Sequence, residues 1–206
     1  MVSLRFAIGL GLMLLTACTG PFSNVAPLSV YHAPPGNQDL PWPVRMAQLR
    51  SLKNWQVQGS LGIHNHHHKG ASLSFSWEQT PVGYRLLLWG PFNQPFIEIE
   101  STATGVCLQT NNKIYEAKEA EILIHQQLGI KLPIGYFTDW LRGLPSPRRR
   151  SERVLNGTNH LLKLHQAGWM VRYLKYNKIR YLDLPTQMLM IHGPWYARVI
   201  VTHWKI

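Results

Sequence analysis

From Trp55 to Ile63 the chain alternates, with Trp55, Val57, Gly59, Leu61 and Ile63 interleaved with Gln56, Gln58, Ser60 and Gly62. A period of two with one apolar set predicts a strand that is buried on one face and wet on the other, as in an antiparallel sheet. Ala71, Leu73, Phe75 and Trp77 interleave with Ser72, Ser74 and Ser76 in the same way, and Asn65 with its flanking histidines joins the two strands. Further strands are predicted around Tyr84–Trp89, Phe96–Glu100, Gly105–Thr110 and Lys113–Ala117, with Asn111-Asn112 as a hairpin turn. The period then changes. Ala120, Leu123, Ile124 and Leu128 fall at helical spacing with Gly129 as a stop, and Pro133 opens a shorter helix carrying Ile134, Phe137 and Leu141, ended by Gly143. Strands resume near Leu161–His165, Trp169–Tyr176, Met188–His192 and Ala197–Trp204. A first helix is predicted from Pro43 to Lys53, with Val44, Ala47 and Leu52 on its apolar side. Most strand connections are too short for parallel crossovers, so the expected class is α+β, a long antiparallel sheet with helices inserted midway.

The N-terminus has a different logic. Arg5 precedes an apolar run from Phe6 to Leu15, too short to span a bilayer comfortably, and Leu15-Thr16-Ala17-Cys18 follows. That ending resembles the lipobox of bacterial lipoproteins, in which the Cys thiol receives a diacylglycerol and the signal is cut just before it. Residues 1–17 are therefore expected to be a signal peptide, with Cys18 lipidated as the mature N-terminus. Residues 18–41, rich in Pro, Gly, Ser and Asn, are expected to be a tether, and residues 42–206 the folded domain.

Composition agrees with one packed domain. The 45% hydrophobic and 11% aromatic content argues against disorder. With Cys18 acylated, Cys107 has no partner; it is expected to be a buried structural thiol on a strand. The net charge of +11 fits anionic lipid or an acidic protein partner, while export argues against nucleic acid. Arg148-Arg149-Arg150-Ser151-Glu152-Arg153 follows Pro145 and Pro147 and is expected to be a solvated basic loop.

Candidate chemistry is sparse. His64, His66, His67 and His68 are the obvious metal ligands, but a hairpin tip lacks the converging scaffold that a folded site needs, and no metal site is predicted. Gly-x-Ser-x-Gly, His-Glu-x-x-His and a phosphate loop are all absent. Asp139 sits between Thr138 and Trp140 on a helix, and Glu98 and Glu100 alternate on the outward face of a strand, so paired-carboxylate catalysis has no support. The aromatic residues, several sharing a strand face as Trp55, Phe75 and Trp77 do, allow two readings. They form a compact core, or they line a loosely filled concave face able to take acyl chains. Gly90-Pro91-Phe92-Asn93-Gln94-Pro95 places Phe92 at the tip of a turn.

The chain resembles the LolB family, outer-membrane lipoproteins that receive other lipoproteins from the periplasmic carrier LolA. Beyond the lipobox, the resemblance is carried by Trp55-Gln56-Val57-Gln58-Gly59, Phe75-Ser76-Trp77-Glu78-Gln79, Tyr84-Arg85-Leu86-Leu87-Leu88, Gly90-Pro91-Phe92, Leu132-Pro133-Ile134, Trp140-Leu141-Arg142-Gly143-Leu144-Pro145, Gln166-Ala167-Gly168-Trp169-Met170-Val171-Arg172-Tyr173 and Leu184-Pro185. It implies an incomplete antiparallel β-barrel with lid helices over an apolar cavity, here lined by Trp55, Val57, Leu73, Phe75, Leu86, Leu88 and Trp140. It also implies a non-enzymatic monomer without cofactor, whose partners are LolA, client lipoproteins and outer-membrane lipid. The family's membrane-insertion loop corresponds to Pro91 and Phe92, with Pro-Phe-Asn where Pro-Leu-Gly is usual. Thr19, not Asp, after Cys18 implies delivery to the periplasmic face of the outer membrane. The rival classes are a lipid-anchored envelope hydrolase and a passive lipid- or lipopolysaccharide-binding module.

Overall fold

The structure, a computed structural model, describes residues 40–66, 70–91, 96–101, 104–110 and 113–206. The expected signal, Cys18, most of the tether, His67, His68, the Asn111-Asn112 turn and Phe92 lie outside the described residues. Helix α1 (Trp42–Ser51) precedes β1 (Trp55–Asn65), β2 (Gly70–Thr80), β3 (Gly83–Trp89), β4 (Phe96–Ser101), β5 (Val106–Thr110) and β6 (Lys113–Ala117). Helices α2 (Ala120–Leu128) and α3 (Ile134–Trp140) follow. The chain then forms β7 (Ser151–Leu155), β8 (Leu161–Gln166), β9 (Trp169–Ile179), β10 (Leu182–His192) and β11 (Trp195–Lys205).

The strands form one eleven-stranded sheet in the order β6-β5-β4-β3-β2-β1-β11-β10-β9-β8-β7. Every neighbouring pair is antiparallel. β6 and β7 end the order, so the sheet stays open. Two meanders meet where the first strand pairs with the last, Gln56 opposite Lys205 and Asn65 opposite Trp195.

One face of the central strands is largely apolar. Trp55, Val57, Leu61 and Ile63 of β1 are buried, as are Leu73, Phe75 and Trp77 of β2, and Ala197, Val199, Val201 and Trp204 of β11. On β11 the inward spacing lengthens from two to three between Val201 and Trp204, because the register against β1 shifts at Gln58/Gly59 and leaves Thr202 as an extra residue. The Thr202 hydroxyl donates to the Gln58 carbonyl at 3.2 Å. Gly59 stands at this shift for a steric reason, since a Cβ there would lie 2.1 Å from the Ile200 carbonyl oxygen.

Four expectations need correction. The buried face of α1 is Trp42, Arg45 and Leu49, while Val44 and Ala47 face solvent. The apolar spacing pointed the wrong way because a buried arginine carries part of the contact. Ser151, Glu152 and Arg153 belong to edge strand β7, not to a loop; charge on an edge strand discourages pairing with other chains and also hides its periodicity. β10 begins at Leu182, six residues earlier than its Met188 start in the sequence reading, and runs through Pro185, where the pairing with β9 shifts register. Cys107 is half-buried on the outward face of β5, opposite Glu100 and Glu116, not in the core.

Gly59→Ala should destabilise the fold by about 1–3 kcal/mol, because the sheet must part to admit the methyl group. Gly62→Ala, with nothing within 4 Å of its new Cβ, should be near neutral. Paired urea-unfolding curves would check the contrast.

Candidate functional site

The inner face of the sheet is bound together by an aromatic stack. Trp55 stacks on Trp77 at 6.2 Å and tilts against Trp204 at 5.4 Å, and Trp77 stacks on Tyr84 at 4.4 Å. Phe137 of α3 closes on Trp77 from above at 6.4 Å. The short helices between β6 and β7 cover this face with Leu123 and Ile124 of α2, Ile134, Phe137 and Trp140 of α3, and Ile130 and Leu132 between them, all part of one apolar core.

Polar contacts fix the end of this cover. The Gln166 side chain, 3% exposed at the end of β8, uses its whole hydrogen-bonding capacity. It accepts from Trp140 Nε1 and the Ser146 amide, both at 2.9 Å, and donates to the carbonyls of Ser146 (2.7 Å) and Arg149 (2.6 Å). Tyr173 donates its hydroxyl to the Trp140 carbonyl at 3.1 Å. Arg142 then ties the turn after α3 to α1, donating to the Leu49 and Leu52 carbonyls at 3.0 Å and pairing with Asp139 at 3.1 Å. Burial pulls the Arg142 guanidinium below its ordinary pKa, against the opposing pull of Asp139. Gly143 permits the turn with φ of 77°. Toward the start of α3 the attachments are fewer. Gly135 N donates to Glu121 at 2.8 Å, and Thr138 shares the Gln79 side-chain oxygen with Trp77 Nε1 at 3.2 Å.

All seven residues expected to line an acyl cavity are buried. Phe75, Leu86 and Leu88 border one small space with Leu61, Trp77, Val199 and, from α3, Ile134 and Phe137. Trp55, Val57, Leu73 and Trp140 pack elsewhere in the core. The enclosed void is about 10 Å³, room for about one water molecule and not for a hydrocarbon chain. Around Phe75, Leu86 and Leu88 the face is filled by its cover.

A much larger cleft, about 1310 Å³, opens between the inserted helices, the arginine turn and the sheet end at Trp169 and His192. It is lined by Ile122, Leu132, Pro133, Tyr136 and Trp169 together with Glu119, Glu121, His125, Lys131, Arg148, Arg149, Arg150 and His192. Sequence reasoning missed it, because residues distant in the chain build it. The only signal was the arginine run.

Neither metal nor triad chemistry gains support. His64 and His66 both pack on the Tyr196 ring, at 5.6 and 5.2 Å, and no metal-ligand cluster occurs among the described residues. Thr158, His160 and Asp183 do form a hydrogen-bonded chain, at 2.7 and 3.2 Å. But the Thr158 hydroxyl donates to Asn156 at 2.9 Å, and the same Asn156 oxygen accepts from the amides of Thr158 and His160. The group locks the β7–β8 turn, and Asp183 also pairs with the buried Arg45 at 3.3 Å under α1.

Residues 53–204 match the family model described as outer membrane lipoprotein LolB. The outer-membrane lipoprotein LolB of Pseudomonas putida strain F1 is 37% identical over 74% of each chain. That of Coxiella burnetii strain Dugway 5J108-111 is 28% identical over 97% of this chain and 91% of its own. Among solved structures, a DUF1329 family protein from Desulfovibrio piger superposes with a TM-score of 0.55 at 11% identity, over 80% of this chain and 90% of that one, a likeness of fold alone.

Two outcomes follow from the geometry. Gln166→Leu keeps the volume but strands the buried Trp140 N–H and the Ser146 and Arg149 backbone groups, and should cost about 2–5 kcal/mol in unfolding free energy. Burial also holds the phenols of Tyr173 and Tyr176 neutral well above the ordinary value of 10.0. The unfolded chain ionises its tyrosines near pH 10 while these two stay protonated. Stability is therefore intact below pH 10 and falls above it, by ~1.4 kcal/mol per pH unit for each phenol. Urea midpoints measured from pH 9 to 11 should decline, and less steeply in Tyr173→Phe.

Proposed function

The chain belongs to the LolB family of outer-membrane lipoproteins, and from that premise we propose that it is the receptor that accepts acyl chains of client lipoproteins from the periplasmic carrier LolA and releases them into the outer membrane. The family serves lipoprotein localisation and is not enzymatic. In this reading residues 1–17 are the signal peptide, lipid on Cys18 anchors the protein, residues 18–41 are the tether, and the open sheet with α2 and α3 is a half-barrel with its lid.

The observation that carries the reading is that the space beside Phe75, Leu86 and Leu88 on the apolar sheet face is bordered on the helix side by two α3 side chains, Ile134 and Phe137, within a cover that meets the sheet mainly through hydrocarbon. Lifting both into water costs about 3–6 kcal/mol at 1.5–3 kcal/mol each. Each methylene that takes their place returns ~0.8 kcal/mol, so roughly four to eight buried methylenes offset the opening. An acyl chain of ordinary length exceeds that. The closed state thus excludes water when empty and yields to a chain that replaces the lid's own contacts. The fixed end of α3 at Trp140 makes its Pro133 end the one that swings. Transfer needs no nucleotide, because a difference of ~1.4 kcal/mol between carrier and receptor already biases the partition tenfold.

Release is the step assigned to Phe92. One phenylalanine entering a bilayer interface contributes at most about 1.5–3 kcal/mol, too little to anchor the protein but enough to ease passage of chains into lipid. Incubating purified carrier–lipoprotein complex with this protein should move the cargo to it. Phe92→Glu should leave that uptake nearly intact and impair release into liposomes, while Phe92→Leu should be tolerated. Cargo that stays on the carrier would overturn the receptor reading, and equal loss of uptake and release would reassign the loop to docking or stability.

A further inference from the structure

The 1310 Å³ cleft shares Leu132 and Trp169 with the core, but its rim has a distinctive chemistry. Arg148, Arg149 and Arg150 are exposed along its rim, and among the described residues no carboxylate lies within ion-pair distance of any of them. Their backbone is nonetheless rigidly placed, since Gln166 holds Ser146 and the Arg149 carbonyl. Lys131 adds a further cation and His125 a further polar group, while His192 spends its Nδ1–H on the Gly168 carbonyl at 2.8 Å and stacks on Trp169 at 5.1 Å. Of the two glutamates in the lining, Glu121 is engaged by the Gly135 amide. The remaining wall is apolar, with Ile122, Leu132, Pro133, Tyr136 and Trp169. Guanidinium groups carried on a fixed backbone beside an apolar wall fit a molecule that joins an anionic phosphate to hydrocarbon.

Topology adds an independent argument. The cleft borders the end of the sheet where β8 turns into β9 and β10 into β11, and antiparallel pairing puts the end of β3 and the start of β4 there too. The segment carrying Phe92 joins those two strand ends. α1 leads into the opposite end of β1. A strand of eleven residues is about 36 Å long, whereas a tether of residues 18–41 can extend about 80 Å. Lipid on Cys18 therefore leaves open which end of the domain meets the membrane, and attraction at the cleft can settle it.

We propose that this cleft binds the phosphate headgroup of an anionic glycerophospholipid and thereby docks the β3–β4 end of the sheet onto the lipid surface. The inference rests on the outer-membrane location and holds whether or not acyl chains enter the sheet face. Basic residues near an anionic surface contribute about 1 kcal/mol each, so loss of two should weaken binding roughly thirtyfold.

Titration of the detergent-solubilised full-length protein with short-chain phosphatidylglycerol, and with phosphatidylcholine of the same chain length, tests it by calorimetry. Phosphatidylglycerol should bind at least about tenfold more tightly, and the preference should shrink with added salt. The double variant Arg149→Gln, Arg150→Gln should lose the preference while binding phosphatidylcholine as before. Lys178→Gln with Lys205→Gln, at the opposite end of the sheet, should retain it. Equal binding of the two lipids would overturn the proposal while leaving acyl reception standing. So would a preference unchanged in the arginine variant, or inorganic phosphate binding as tightly as the lipid.

Discussion

The side chain of Gln166 is the interaction on which the rest of the assembly leans. An amide carries two donor hydrogens and an acceptor oxygen with two lone pairs, and here all four positions are occupied inside the protein. Away from water such a set is strong when complete and costly when broken, so its three partner segments move together or not at all. One segment is the end of α3, one the turn bearing the arginines, and one β8 itself. Rigidity at this point divides the inserted region in two. Beyond Trp140 the chain is held by polar bonds from Gln166, Arg142 and Tyr173. Before it, cover and sheet meet mainly through hydrocarbon.

That division separates two surfaces of opposite character within a few residues of chain. Ile134 and Phe137 face inward onto Leu61, Phe75 and Leu88, where contact is non-directional and replaceable by any apolar group of similar size. Tyr136, on the same helix, looks outward to the basic cleft and packs on Trp140 at 5.2 Å. A displacement of α3 therefore changes both surfaces at once.

Strand periodicity was readable because one face of the sheet is buried and the other is wet. Trp55, Val57, Leu61, Phe75 and Trp77 announced their side, and all are in the core. The signal failed where a tertiary partner overrides local pattern. Arg45 is buried because Asp183, far along the chain, neutralises it, so α1 turned a face that hydrophobicity would not select. Pro185 obscured the first half of β10, and the charges of β7 masked an edge strand. The Trp140–Pro145 motif was recognisable as a string, but its reason is geometric: an indole for Gln166, a guanidinium for the end of α1, and a glycine for the left-handed turn. The cleft was the least legible feature, since a void is a property of segments brought together and has no spelling of its own.

The pairing of the first strand with the last has a consequence for how the molecule is made. β1 can zip to β2 through a short connection as soon as both exist, but its other edge must wait for the eleven residues of β11, Trp195–Lys205. Contacts this distant in sequence are slow to form, and until they do, the middle of the future sheet is an unprotected edge open to foreign chains. Gly59 and Gly62 in β1 make that edge a poor template in the interval, since glycine weakens a strand that lacks its native neighbour. A chain that emerges N-terminus first thus completes this sheet only after β11 arrives, and loss of β11 removes the seam on which both halves depend.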